Sequence, residues 1–462
     1  MYRFRSSDAL LGKHNELINQ EIYFPSIDEL NDPMEGFKYL FFDGDSIVWK
    51  NLLSHYIICF DHLFILAYIV NDNTEFSEND IPIWKTIEDL ETNEYRLIIN
   101  EILNRFFSEK VVSDLLEYFE SRNTKIHQNE VIGQLTKLHL LVLYHFLNVY
   151  SEKGYIIKGQ IKEPDREKLS KYFSTWNKNQ LHQITDSHAV DTLFEVQKTI
   201  IDEIKLSFAI EHLANPVQQR KWFLVNAFPE AYLNKIQELV YPQVYVSCFM
   251  SECLDPAIWG YYGSGHTGVA LKFKTTIDNN KDNLFLHESS GHLNPITPGQ
   301  KKFAFYKINY GNSFQEIDFF TSLGRLPMGK LMKYWYQDSN GKTSKCYEAL
   351  TNEEKWRNHY WDKFYNIYCR KLDSWNKENE YRLIMADTLK NRLDKGQRKF
   401  RYNFYDLEAI VFGKKTKLKD KIEIISIIKQ KCEAIHRTDF KFYQADILPN
   451  SGKMVMPELE VL

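Results

Sequence analysis

At 462 residues the chain is long enough for two or three domains, each with a real core. Hydrophobic residues at 44% and aromatics at 15% exclude a disordered scaffold. The formal net charge of −4 excludes a wholesale basic coat for nucleic acid, though not local patches.

The opening MYRFRSSD lacks the apolar core of a signal peptide. Residues 1–5 and 21–24 read as short strands joined by a polar helix over 7–19, with Leu10, Leu11, His14, Leu17 and Ile18 along one side. Asn31-Asp32-Pro33 is first a turn signal, and a border for a ligand as the alternative. From 38 to 240 the apolar spacing is helical, with clear helices over Val48–Val70, Glu94–Phe107, Lys110–Ser121, Val131–Tyr150, Leu193–Ala214 and Glu230–Leu239. Punctuation falls at Pro82, Pro164, Pro216 and Pro229. The greasiest run, 56–70, is broken by Asp61 and His62 and falls short of the roughly 20 apolar residues that span a bilayer. It reads as a buried helix, and no membrane contact is expected. His139 and His145 lack a carboxylate or cysteine at ligand spacing and read as core or surface residues.

After 241 the period shortens to that of strands, over Tyr245–Phe249, Val269–Phe273 and Lys302–Tyr306 extending to Tyr310. Helical material follows over 315–372, then strands at 380–385 and 408–412 and a helix at 418–433. The hexapeptide Gly263–Gly268 satisfies GxGxxG, but a strand follows it where a nucleotide-binding turn needs a helix. It reads as a plain glycine turn. Six cysteines, at 59, 248, 253, 346, 369 and 432, form no CxxC, so reduced thiols and a cytoplasmic setting are expected. No metal site is expected.

WNKENEYRLI at 375–384 is the most informative stretch. If extended, it aims Glu378 and Glu380 at one side of a sheet, with Trp375, Tyr381 and Leu383 opposite. Two like charges on one face are costly unless something positive or polar uses them. The alternative is an edge strand with a solvated acidic face. Between 390 and 421 eleven Lys and Arg face four acidic residues, a surplus of seven, with Phe400, Tyr402, Phe404 and Tyr405 among them. That mixture suits phosphate gripping and base stacking, or simply a solvated basic loop.

Four pieces in order, MYRFRS, YFPSIDELNDPMEG, YVSCFMSE through WGYYGSGHTGVALKF, and WNKENEYRLI followed by IVFG, resemble the uncharacterised bacterial family known as domain of unknown function 2971 (DUF2971). The resemblance covers roughly 1–37 and 241–420, and the family's own helical piece is much shorter than the one here. That family's layout is in turn similar to ADP-ribosyltransferases, which split an NAD site over three strand motifs. The resemblance implies Arg5 and Ser6 on the first, with Arg3 competing for the arginine role. It implies Ser251, Tyr261 and Tyr262 in the second, and Glu378 with Glu380 in the third. Asn31 would border the ligand.

On that basis Glu380 would stabilise an oxocarbenium-like ribose, and Glu378 would orient the acceptor. Arg5 would fork onto a ribose or phosphate oxygen, Ser6 would add a hydrogen bond, and Tyr262 would pack the nicotinamide. A salt bridge from Arg5 to Glu378 or Glu380 is the structural alternative, and Tyr261 and Tyr262 read equally as core aromatics. The expected protein is α+β, an ADP-ribosyltransferase-like split sheet with a large all-helical insertion. Residues 1–37 and 241–435 would form the sheet domain, 38–240 the insertion and 436–462 a tail. The expected activity is transfer of ADP-ribose from NAD, as substrate, to a macromolecule, with RNA or DNA held through 390–421, in a toxin or phage-defence setting. A non-catalytic sensor or adaptor, or an NAD glycohydrolase, is the alternative.

Overall fold

A computed structural model describes residues 1–12, 14–70, 74–156, 165–174, 187–212, 215–288, 299–389 and 392–461. Pro164, Lys390 and the expected helix end at Ala214 lie outside the described residues. The chain is α+β and divides into two compact units. The first comprises 1–37, 242–314 and 364–462, and the second 38–241 and 315–363.

Twelve strands make the large sheet of the first unit. They are β1 (Tyr2–Arg5), β2 (Glu21–Tyr23), β3 (Gln243–Met250), β4 (Val269–Phe273), β5 (Thr276–Asp278), β6 (Lys281–Glu288), β7 (Gln300–Lys307), β8 (Glu380–Asp387), β9 (Lys399–Tyr402), β10 (Leu407–Phe412), β11 (Lys441–Gln444) and β12 (Glu458–Leu459). Their order is β12-β11-β10-β4-β1-β3-β8-β7-β6-β9-β2, with β5 paired to β6. Among the described residues, β10–β11 is the one parallel pair of this sheet. Alternation divides the buried residues of the central strands between two faces. Phe249, Leu271, Leu383, Phe400 and Ile410 meet the helix Leu418–Ala434 in the main core, while Trp259, Ala270 and Val411 pack on the opposite side.

Several expectations change here. The helix foreseen over 7–19 is two short ones, Ser7–Leu11 and Glu16–Asn19, because Asn15 adopts a left-handed conformation. The supposed tail at 436–462 supplies β11 and β12. Strands β5 and β6 were missed, although Asn279 and Asn280, both at positive φ, make the two-residue turn that joins them. Segment 315–363 belongs to the second unit, because Glu316–Asp318 pairs in parallel with Tyr39–Phe42.

The expected all-helical insertion therefore carries a small sheet, completed by Ile126–His127 antiparallel to Tyr39–Phe42, and its main helices are Ser46–Ile69, Asn93–Phe107, Lys110–Glu120, Gln128–Glu152 and Ser187–Glu211. Within it the greasy run is buried through Phe64 except for half-buried His62, but not to its end, where Ile69 is exposed; Asp61 accepts hydrogen bonds from the hydroxyls of Tyr95 and Tyr150. His139 is a core residue held between the Tyr56 hydroxyl and the Leu224 carbonyl, each at 2.6 Å. His145 is buried against Glu109. No described helix is long and apolar enough to cross a membrane.

Candidate functional site

Neighbouring strands β1 and β3 pair at one position, Tyr2↔Met250. Their other edges are fully laddered: β1 pairs β4 from Tyr2 to Arg5, and β3 pairs β8 from Gln243 to Met250. The sheet therefore splits between β1 and β3. Met1 and Phe273 exchange backbone hydrogen bonds, so alternation turns the main-chain groups of Phe4 toward β3. Val246 donates to the Pro25 carbonyl at 3.0 Å, which likewise turns those of Cys248 toward β1. Two open strand edges thus face each other.

A cleft of about 390 Å³ opens there, and Arg3, Arg5, Asn31, Tyr262 and Glu380 all line it. The remaining residues singled out from sequence sit elsewhere. Ser6 caps the helix Ser7–Leu11, its hydroxyl accepting from Ala9 N. Ser251 is exposed beyond β3. Tyr261 is 70% exposed, with its ring edge-on to Trp375. Glu378 is buried just behind the cleft wall, where the Tyr262 hydroxyl donates to it at 2.6 Å.

Glu378 and Glu380 do converge, but not by strand alternation. Trp375 to Glu378 lie in a 3-10 turn, Asn379 is left-handed, and β8 starts at Glu380. Nor is β8 an edge strand, since β3 and β7 flank it, and both glutamates are buried. What gathers them is Lys371, whose Nζ lies 2.7 Å from Glu378 Oε2, 3.1 Å from Glu380 Oε2 and 3.3 Å from Glu35 Oε1. Arg382, wholly buried, donates from Nε to Glu380 Oε1 at 2.6 Å and from Nη2 to Oε2 at 3.2 Å. It also pairs with Glu35 and donates to the Tyr368 carbonyl. Three carboxylates thus share two cations.

The electrostatics follow from that imbalance. Burial alone would raise the Glu380 carboxyl, but Arg382 and then Lys371 overcome it and hold the group down at about 2. Burial wins at Glu378 and at Glu35, whose carboxyls are pushed up despite Lys371 and Arg382. Glu380 is therefore a fixed anion, and Glu378 is the group closer to holding a proton.

On β1 the arginines take another partner. Glu16, itself buried, accepts from Arg5 Nε at 2.7 Å and from Arg3 Nη1 at 3.3 Å, so the alternative of a bridge from Arg5 to Glu378 or Glu380 is replaced by one to Glu16. Burial raises the Glu16 carboxyl, yet Arg3 and Arg5 bring it below its ordinary value. Asp32, in the turn after Asn31, is buried and accepts from Met34 N and Leu372 N, tying that turn to the residue that follows Lys371.

Sequence reasoning passed over Lys371, Glu35 and Arg382 as site residues. Arg382 was legible as the residue two places past Glu380 on the same face. Lys371 carried no such signal. In the basic stretch, Phe400, Tyr402 and Phe404 belong to the core, leaving Tyr405 as the exposed ring. Much of its charge is paired, as in Arg392–Glu288, Lys395–Glu29 and Lys414–Asp446.

Residues 258–383 match the model of a family described as "Protein of unknown function (DUF2971)". The matched span holds Tyr262, Lys371, both glutamates and Arg382. No curated protein and no solved structure matches the chain.

Proposed function

Starting from a chain that belongs to the DUF2971 family, we propose that the split between β1 and β3 is an ADP-ribosyltransferase-like site that binds NAD and transfers its ADP-ribose to a macromolecule. The observation that carries this reading is the single-pair seam at Tyr2↔Met250, which sets arginines and the Glu380 carboxylate around one cleft.

In the proposed reaction the bond between ribose and nicotinamide breaks, and its electron pair goes to the ring nitrogen, which becomes neutral. The ribose carbon acquires oxocarbenium character, and Glu380, ionised throughout the physiological range, stabilises it. The acceptor then bonds to that carbon and gives its proton to Glu378, whose carboxyl burial has already pushed up. Tyr262 holds Glu378 through its hydroxyl and offers its ring to the leaving nicotinamide. We propose nucleic acid as acceptor and toxin or phage-defence chemistry as the setting.

A second reading has its own support. Glu380 already receives Arg382 and Lys371, so the cluster also suits a non-catalytic ligand sensor. The test is NAD turnover by wild type and Glu380→Gln with RNA, DNA or lysate as acceptor. Label on a macromolecule with wild type alone supports transfer, and free ADP-ribose alone supports hydrolysis. If NAD neither binds nor turns over, the sensor reading replaces it.

A further inference from the structure

The two faces of the split are unlike. On the face of Glu380, three carboxylates outnumber two cations. On the opposite face Arg3 and Arg5 ion-pair with one carboxylate, Glu16. Arg3 is itself buried, at 5% exposure, and its contacts to Glu16 Oε2 and the Tyr23 carbonyl are both long, at 3.3 Å. Of its five N–H donors, two are thus weakly used. Glu29 also lines the cleft, but Lys395 and Arg398 take its carboxylate.

Ser247 lies on this second face. Continuing the register from Tyr2↔Met250 along the parting strands sets Phe4 opposite Cys248 and Arg5 opposite Ser247. Ser247 lines the cleft, is 1% exposed, and its hydroxyl has no hydrogen-bond partner among the described residues. A buried hydroxyl left in that state is a net cost to the fold. A surplus buried cation lining the same cleft as an idle donor is the complement of an oxyanion.

We propose that Ser247 and Arg3 form an oxyanion-binding pair in the split and take a phosphate group of the ligand. The inference rests on the preceding reading in treating the cleft as a ligand site, not in the reaction assigned to it. It implies that the ligand passes through the sheet, with its phosphate on the Arg3 face and its sugar on the Glu380 face. That placement makes Ser247 a specificity determinant for phosphorylated ligands over free nucleosides.

The probe is inorganic pyrophosphate, titrated calorimetrically at low salt into the full chain. Wild type is expected to bind saturably, and Ser247→Ala about tenfold more weakly. The unliganded variant is expected to melt no lower than wild type, since the deleted hydroxyl makes no bond. Trp49→Phe is the control, deleting an N–H that is buried and without a partner among the described residues but belongs to the second unit, and is expected to bind like wild type. Equal binding by Ser247→Ala, no binding by wild type, or weaker binding matched by a lower unliganded melting temperature would each overturn the proposal. Pyrophosphate binding without NAD turnover upholds it while sinking the transferase reading. NAD turnover without a Ser247 effect does the reverse.

Discussion

Arg382 and Glu380 sit two residues apart on β8 and form a two-pronged ion pair on one face of a central strand, at 2.6 and 3.2 Å. Both are buried, so each is tolerable only among its charged partners, of which the other makes the two-pronged contact. Arg382→Leu is expected to destabilise the protein by about 3–5 kcal/mol, the usual result of stranding one buried charge. Glu380→Leu in the same background is expected to recover part of that loss. Chemical denaturation of the two single variants and the double variant checks it, and strictly additive losses would contradict the pairing.

Lys371→Met leaves three buried carboxylates with Arg382 alone. Their folded-state affinity for protons then rises above that of the unfolded chain. A carboxyl raised in this way makes the fold more stable as pH falls toward its ordinary range. The deficit of Lys371→Met against wild type is therefore expected to be largest near pH 8 and to shrink toward pH 5. Thermal melting across that range reads it directly, and a deficit independent of pH would refute the charge-sharing role.

The sign is opposite for Glu380 itself. Its folded value of about 2 lies below the ordinary 4.5, so its contribution is complete above 4.5 and disappears as pH falls toward 2. The ceiling is about 3 kcal/mol, and Glu16 adds loss in the same direction. In Glu380→Gln, the slope of stability against pH between 4.5 and 2 is expected to flatten. An unchanged slope would place the acid sensitivity elsewhere.

Gly268 enters β4 where a Cβ would lie 2.4 Å from the Arg5 carbonyl oxygen and 3.1 Å from that of Gly263. Both are backbone atoms, so β1 itself must move. Gly268→Ala is expected to cost about 1–3 kcal/mol and, by shifting one lip of the split, to weaken pyrophosphate binding as well. Gly260→Ala, whose Cβ would meet nothing within 4 Å, is the matched control and should be neutral to slightly stabilising. Equal behaviour of the two variants would argue against the clash.

Periodicity made β1, β3, β4, β8 and β10 legible, because each alternates against a real core. The family resemblance, and not periodicity, brought Arg3, Arg5, Tyr262 and Glu380 forward as a set, and the structure places all four on one cleft. Periodicity failed where the chain bends. Asn15 and Asn379 are left-handed, and neither the broken N-terminal helix nor the turn between the two glutamates follows from a repeat of 2 or 3.6 residues. It failed again at Lys371, which reaches Glu35 only through tertiary packing. The basic stretch misled because alternation hides Phe400 and Tyr402 while showing Arg401 to solvent.

The position of β1 has a consequence for how the protein is made. Its partners β3 and β4 are both encoded beyond residues 38–241, so β1 stays unpaired while that stretch of the second unit is synthesised. Only when residues 243–273 emerge can β1 be clamped, and the cleft wall opposite it needs β8, later still. The split is thus among the last features to be assembled, and a polypeptide ended before residue 371 carries Arg3, Arg5 and Glu35 without Lys371, Glu378, Glu380 and Arg382.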